Sequence, residues 1–303
     1  MRTEPRRSAR HPARRLGIAV TLAAGLLLAA CAGTDAPDAT PDVPAPAPSP
    51  SPAPGAGDED ATVVVAAYLV RSAPTAFYVE PVPIRIPDVG DGVSARITEA
   101  IDALLAIETP SDPELFTSVP SGTTLRSVSV NGGIATLDLA GGIVGSSGSS
   151  SQEITFAQQL AHTARVDTSI TAILLVVDGT PVDELWGHLD WSVPIEPDPF
   201  ALSPVTVTVP LAGETVTARD VTFRGQATVF EATVVVTLLG ENGAVIAEGF
   251  VTATTGAPER GTWEWTVTLP GAGLYTLVAE ESDPSDGEGR PPFVTTRTFR
   301  AAG

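Results

Sequence analysis

The chain has 303 residues, 43% of them hydrophobic, and a formal net charge of −19. That length suits about two domains of ordinary size, each with enough apolar residues for its own core. Residues 1–30 hold six arginines and one glutamate, so the remainder carries 11 basic against 35 acidic residues, a balance that repels phosphate backbones and argues against nucleic acid as a partner.

The N-terminus reads as a secretory leader. Six arginines (Arg2, Arg6, Arg7, Arg10, Arg14, Arg15) precede an apolar stretch at 16–28, which ends in Leu28-Ala29-Ala30-Cys31. A basic region, a short apolar region and small residues before a cleavage point define a signal peptide. The run is shorter than the ~20 residues of a spanning helix. Cysteine directly after Leu28, Ala29 and Ala30 resembles the bacterial lipobox. That resemblance implies cleavage before Cys31 and lipid on its side chain, hence anchoring to the cell membrane on the extracytoplasmic side. The alternative is an ordinary signal peptide (1–30) followed by an incidental cysteine. Cys31 is the only cysteine, so it has no disulfide partner.

Residues 31–60 read as a tether. Proline stands at every second position from Pro44 to Pro54, which removes backbone donors and favours extended polyproline II. Flanking aspartates keep the segment solvated. A disordered spacer without a length requirement fits the same composition.

A folded domain is expected over 61–195. Residues 62–70 form a β-rich apolar run, with 82–86 as its neighbour. Val93, Ile97, Ala100, Ile101, Leu104 and Leu105 recur at spacings of three and four, which predicts a helix over 93–107. Thr109-Pro110 ends it. Two strands, 123–130 and 134–139, flank Asn131-Gly132-Gly133 and predict a hairpin. A second helix is expected to bury Ile154, Ala157, Leu160, Ala161 and Ala164, and the continuous apolar run at 170–177 suits a sheet centre. Strands with helices mainly on one face of the sheet make an α+β domain.

Beyond residue 200 the helical spacing disappears. Val205, Val207 and Val209 alternate with threonines, and Trp263, Trp265, Val267 and Leu269 alternate with polar residues. Further strands are expected near 220–229, 232–239, 244–254, 274–281 and 292–299. About seven short alternating strands over 200–301 predict an all-β immunoglobulin-like sandwich. The connecting segment at 193–203 is expected to be the second place, after the tether, where a protease cuts.

The order of elements is familiar. Residues 62–195 resemble the GerMN (sporulation and spore germination) domain, through Ala67-Tyr68-Leu69-Val70, Ser118-Val119-Pro120-Ser121-Gly122-Thr123, residues 133–139 and Asp178-Gly179. Residues 202–300 resemble the immunoglobulin-like domain of bacterial spore germination proteins, through the stretch from Gly225 to Val234, Ala247-Glu248-Gly249-Phe250 and the stretch from Gly256 to Trp263. The resemblance implies extracytoplasmic binding or assembly and brings no catalytic residues with it.

The residues themselves offer little catalytic chemistry. His162 and His188 are the only histidines outside the leader, and no nucleophile elbow accompanies them. Neither clustered His/Cys nor H-E-x-x-H suggests a metal site. The acidic loop at 283–288 has oxygens enough for calcium but lacks EF-hand spacing and reads as a turn. Asp138, Asp178, Asp183 and Glu184 fit turns. No cofactor is expected. Trp186 and Trp191, set among Pro181, Pro194, Pro197 and Pro199, are the candidate binding residues, as an interdomain latch or a ligand platform. Otherwise they cap the sheet of the first domain.

The expected function is therefore a non-enzymatic, membrane-anchored lipoprotein that binds or scaffolds an envelope protein or cell-wall partner. A ligand-capturing lipoprotein for a transporter or sensor is the alternative, with its cleft near Trp186 and Trp191. A cell-wall enzyme would need paired carboxylates or a nucleophile in a pocket.

Overall fold

The computed structural model describes residues 61–282 and 289–302. Cys31, the Leu28-Ala29-Ala30 motif, the tether and the acidic loop at 283–288 lie outside the described residues.

Strands β1 (Thr62–Ser72) and β2 (Phe77–Pro87) pair antiparallel at eleven positions. The prolines of β2 set the phase of that ladder. Pro81, Pro83 and Pro87 stand opposite Tyr68, Ala66 and Thr62. Proline cannot donate, so these pairs fall where the amides of both strands point away from each other. The ladder then runs through Val63, Val65, Ala67 and Leu69. Asp88 N–H donating to Ala61 O at 2.9 Å agrees with that phase.

Helix α1 (Val93–Leu105) buries Ile97, Ala100, Ile101 and Leu104, as its spacing predicts. The two-residue β3 (Leu115–Phe116) pairs with Val70 and Arg71 on the other edge of β1. Strands β4 (Thr123–Asn131) and β5 (Ile134–Gly141) form the expected hairpin. Gly132 and Gly133 turn it with φ of 58° and 83°, values that favour glycine.

Helix α2 (Ser150–Ala164) starts where the Ser149 side chain accepts from Gln152 N–H. Its buried face differs from the expected one. Ala157, Leu160, Ala161 and Ala164 are buried, but Ile154 is 47% exposed while Glu153 beside it is fully buried. From Thr155 onward every residue of α2 is buried, because β1, β2, β6 and the segment beyond residue 183 surround it.

Strand β6 (Ala172–Val177) runs parallel to β5. It lies inside its sheet, as its apolar run suggests, with the short β7 (Thr180–Pro181) and a bridge from Ile173 to Ile195 on its other side. The N-terminal half is α+β, and its strands divide into two sheets, β2-β1-β3 and β4-β5-β6-β7. Both sheets and both helices feed one core, which includes Leu69, Ile101, Leu137, Phe156 and Trp191.

The C-terminal half is all β. It comprises β8 (Val205–Val209), β9 (Thr215–Val216), β10 (Asp220–Ala227), β11 (Thr233–Gly240), β12 (Val245–Thr252), β13 (Gly261–Thr268), β14 (Gly273–Glu281) and β15 (Val294–Ala301). They form two sheets, β13-β10-β8 and β12-β11-β14-β15-β9. Phe223, Val236, Trp263, Leu277 and Phe299 fill the space between them. Gly225 allows β10 to lie close to β8: a Cβ there would meet Thr206 O at 1.9 Å and the Trp263 ring at 2.5 Å.

The connecting segment is packed. Ile195 exchanges two backbone hydrogen bonds with Ile173. Gln158 accepts from Asp198 N–H and donates to Glu196 O. Ser203 is fully buried and its N–H donates to Val79 O at 3.0 Å. The segment at 193–203 is thus tied by hydrogen bonds to α2, β6 and β2, while Val193 and Phe200 on it remain exposed. Among the described residues, no helix is long and apolar enough to cross a membrane.

Candidate functional site

Trp186 and Trp191 converge on Glu153 in the first turn of α2. Glu153 Oε1 accepts from Trp191 Nε1 at 2.8 Å and Trp186 N–H at 3.1 Å, and Oε2 accepts from His188 N–H at 2.9 Å. Trp191 is 1% exposed and lies near Phe156 in the first core. Trp186 is half-buried against the same phenylalanine and donates from Nε1 to Ser146 Oγ. Trp191 therefore presents no surface to a ligand. Its indole is spent on packing and on Glu153, and both tryptophans cap the first domain.

The junction of the two halves carries buried charge instead. Arg71 of β1 is 3% exposed. Its Nε lies 2.5 Å from Glu80 Oε2 on β2, and its Nη1 lies 2.5 Å from Glu114 Oε2. Arg297 of β15 reaches Asp112 at 2.7 Å and Glu80 at 3.4 Å, and donates to Val207 O at 3.0 Å. Ser203 Oγ donates to Glu80 Oε2 at 3.3 Å. Burial alone would lower the Arg71 pKa, but the hydrogen bond and charge of Glu80, with Asp112 and Glu114, raise it overall. Arg260 of the second half forms no ion pair among the described residues, though the charge of Glu80 bears on it. It donates to Gln226 Oε1 and Ser203 O, and burial lowers its pKa.

Beside this cluster lies a groove of about 480 Å³. Val82 and Ile84 of β2, Leu69 of β1, Leu115 and Val207 give it apolar walls, and Asp112 and Arg297 line it as well. Neither Trp186 nor Trp191, beside which the sequence suggested a cleft, lines this groove. The signal was present in Arg71 and Glu80. Arg71 continues the alternation of Ala67 and Leu69, so a charged side chain falls at a core-facing position.

A second space, of about 380 Å³, lies along β1 beside the end of α2. His162 and Tyr68 line it with rings 5.0 Å apart. His162 Nε2 lies 3.0 Å from Asp198 O. Burial lowers its pKa, partly offset by that carbonyl, with Arg165 lowering it further. His188 is exposed, and Asp183 and Glu184 lie on the surface. Asp138 and Asp178 share Arg126. Among the described residues, no three His, Cys, Asp or Glu side chains are grouped to hold a metal ion.

Residues 66–183 match the family model described as sporulation and spore germination, and residues 204–288 match the immunoglobulin-like domain of bacterial spore germination. No curated protein matches the chain. Among solved structures it is similar to the tandem GerMN domains of the sporulation protein GerM from Bacillus subtilis, at 22% identity and a TM-score of 0.36, over 48% of each chain. The first GerMN domain of that protein aligns at 17% identity and a TM-score of 0.33, over 44% of this chain and 97% of that one. A predicted lipoprotein from Clostridium perfringens aligns at 24% identity and a TM-score of 0.32, over 46% of this chain and 91% of that one. Together the two family matches assign the chain a sporulation and spore germination domain followed by an immunoglobulin-like domain of bacterial spore germination.

Proposed function

We propose that the protein is a non-enzymatic binding or scaffolding lipoprotein of the cell envelope, held to the extracytoplasmic side of the membrane by lipid on Cys31. The observation that carries the binding reading is the use made of the buried ionisable groups. Glu153 holds the segment 186–191 to α2, His162 holds the segment around Asp198, and Arg71, Glu80, Asp112 and Arg297 tie β1 and β2 to β15. Groups of the kind that could do acid–base work are committed to joining one segment to another. The leader, Cys31 and the tether support the anchoring part of the reading, and the two matched families, named for sporulation and spore germination, support a binding module over an enzyme.

Crosslinking in intact cells, followed by identification of the co-purified partner, tests the binding role. A specific envelope partner is expected, and Cys31→Ser should release the protein from the membrane fraction. A hydrolytic activity abolished by one Asp, Glu or His substitution, with folding unchanged, would overturn the reading. The second reading, capture of a small ligand, is favoured by one observation: a groove of about 480 Å³ lies within the range of small-molecule sites. Native mass spectrometry of the purified protein would reveal a retained ligand.

A further inference from the structure

The sheet β2-β1-β3 has one closed edge and one open edge. On the outer edge of β2, proline fills positions 81, 83 and 87, and Val79 is bridged by Leu202. Prolines there remove the donors a neighbouring strand would need, a common protection of sheet edges. On the outer edge of β1, Val70 is covered by β3. The amide of Tyr68 donates to Thr163 Oγ1 and its carbonyl accepts from Gln159 Nε2. The next outward positions are Ala66, Val64 and Thr62. Their backbone groups have no partner among the described residues, and Val64 is 58% exposed.

We propose that this edge, residues 62–67 of β1, binds an extended peptide segment of a partner protein as an added strand, with an acidic side chain of that peptide meeting Arg165. Only an extended backbone supplies alternating donors and acceptors at the spacing that Val64 and Ala66 present. The space of about 380 Å³ lies alongside these residues and gives such a backbone room. Both spaces touch Val64, Val65 and Ala66, so side chains of the added strand meet the apolar groove on one side and the His162–Arg165 wall on the other. Charge complementarity selects the acidic residue. Arg165 is exposed and forms no ion pair among the described residues, in a chain otherwise dominated by acids. Arg260 adds to the positive field there: its charge and that of Arg165 both bear on Tyr68 and His162. The run Thr62-Val63-Val64-Val65-Ala66-Ala67 is uncharged, so nothing on the strand itself opposes the pairing.

The inference rests on the binding-module reading and specifies its surface. The test uses the full mature chain carrying Cys31→Ser and a fluorescent hexapeptide, Thr-Val-Glu-Val-Thr-Val, followed by anisotropy. The hexapeptide is expected to bind. A version N-methylated at alternate residues should bind about tenfold more weakly, as loss of backbone hydrogen bonds requires. Ala66→Pro removes an outward donor that no internal ladder uses, and it should weaken binding by about the same factor. Arg165→Ala should weaken the glutamate peptide several-fold and leave the glutamine analogue unchanged. No binding at millimolar peptide, or equal binding of the N-methylated peptide to the unsubstituted protein, overturns the proposal even if Ala66→Pro fails to fold. A concentration-dependent dimer that Ala66→Pro dissolves also overturns it, because the occupant would be a second copy. A failure here leaves the crosslinking experiment free to decide the broader binding role.

Discussion

Arg297 on β15 donates to Asp112, in the loop before β3, at 2.7 Å, with both side chains less than one-tenth exposed. The contact joins the last strand of the second half to the first half, and Glu80 and Arg71 continue it on β2 and β1. Removing one member of a buried charged network leaves the others desolvated and short of a partner, at about 3–5 kcal/mol. Arg297→Ala is therefore expected to destabilise the chain by about 3 kcal/mol in urea. Calorimetry is expected to show one transition for the unsubstituted protein and two for the variant. A loss below about 0.5 kcal/mol would mean the cluster is solvated and not a structural tie.

Glu153 is fully buried and accepts from three donors. Glu153→Ala leaves those donors without an acceptor, each a loss of about 1–3 kcal/mol when buried. Tryptophan emission should shift to the red and proteolysis near residues 185–192 should accelerate. Unchanged emission would show that packing against Phe156 holds the tryptophans without the carboxylate.

His162 predicts a pH dependence with a definite sign. Burial lowers its pKa below the ordinary 6.5, so the unfolded chain binds a proton before the folded one does. Stability is therefore full above 6.5 and declines as pH falls from there toward the folded pKa. The groups that bear on His162 are Tyr68, Arg165, Arg260 and Asp198. Asp167 acts in a separate, more acidic window: hydrogen bonds from Ser169, with Arg96, hold it below 3.8. His162→Gln keeps a donor for Asp198 O and should flatten the stability profile between pH 7 and 5. A profile equally steep in the variant would assign that slope to other groups.

Gly225 tests the packing of the second half. Its Cβ position lies inside contact distance of Thr206 O, which is backbone and cannot swing aside. Gly225→Ala is expected to cost about 3 kcal/mol or more through overpacking. It should also alter the environment of Trp263, read as a change in near-ultraviolet circular dichroism. A variant as stable as the parent would mean that β8 moves away from β10 freely.

The sequence made the second half legible because alternation with a period of two is a local property. Seven expected strands appear as β8, β10, β11, β12, β13, β14 and β15, and only the two-residue β9 escaped. In the first half, α1 was readable from its spacings of three and four and the β4–β5 hairpin from Asn131-Gly132-Gly133, signals that are equally local. Helix α2 was readable as a helix, and four of its five expected core residues are buried; what the spacing missed is that Glu153 and Gln159 are as buried as Leu160, because neighbours enclose more than one face. The site was the least readable part. Arg71, Glu80, Asp112 and Arg297 come from four separate segments, and their pairing depends on how the two halves meet. The open edge of β1 was hidden too, since its cause lies in the phase of prolines on the neighbouring strand.

Strand β1 is also where any load on the chain N-terminal to Thr62 enters the fold. A pull along the strand axis acts in shear on its eleven pairs with β2 together, whereas a pull across them would open one at a time. Arg71, near the far end of the same strand, is gripped by Glu80, Asp112 and Glu114. Extraction of β1 would have to drag that guanidinium out of its carboxylates after shearing the ladder. The first strand of the domain thus has the layout of a mechanical clamp, and forced unfolding is governed by the rate at which such a clamp yields.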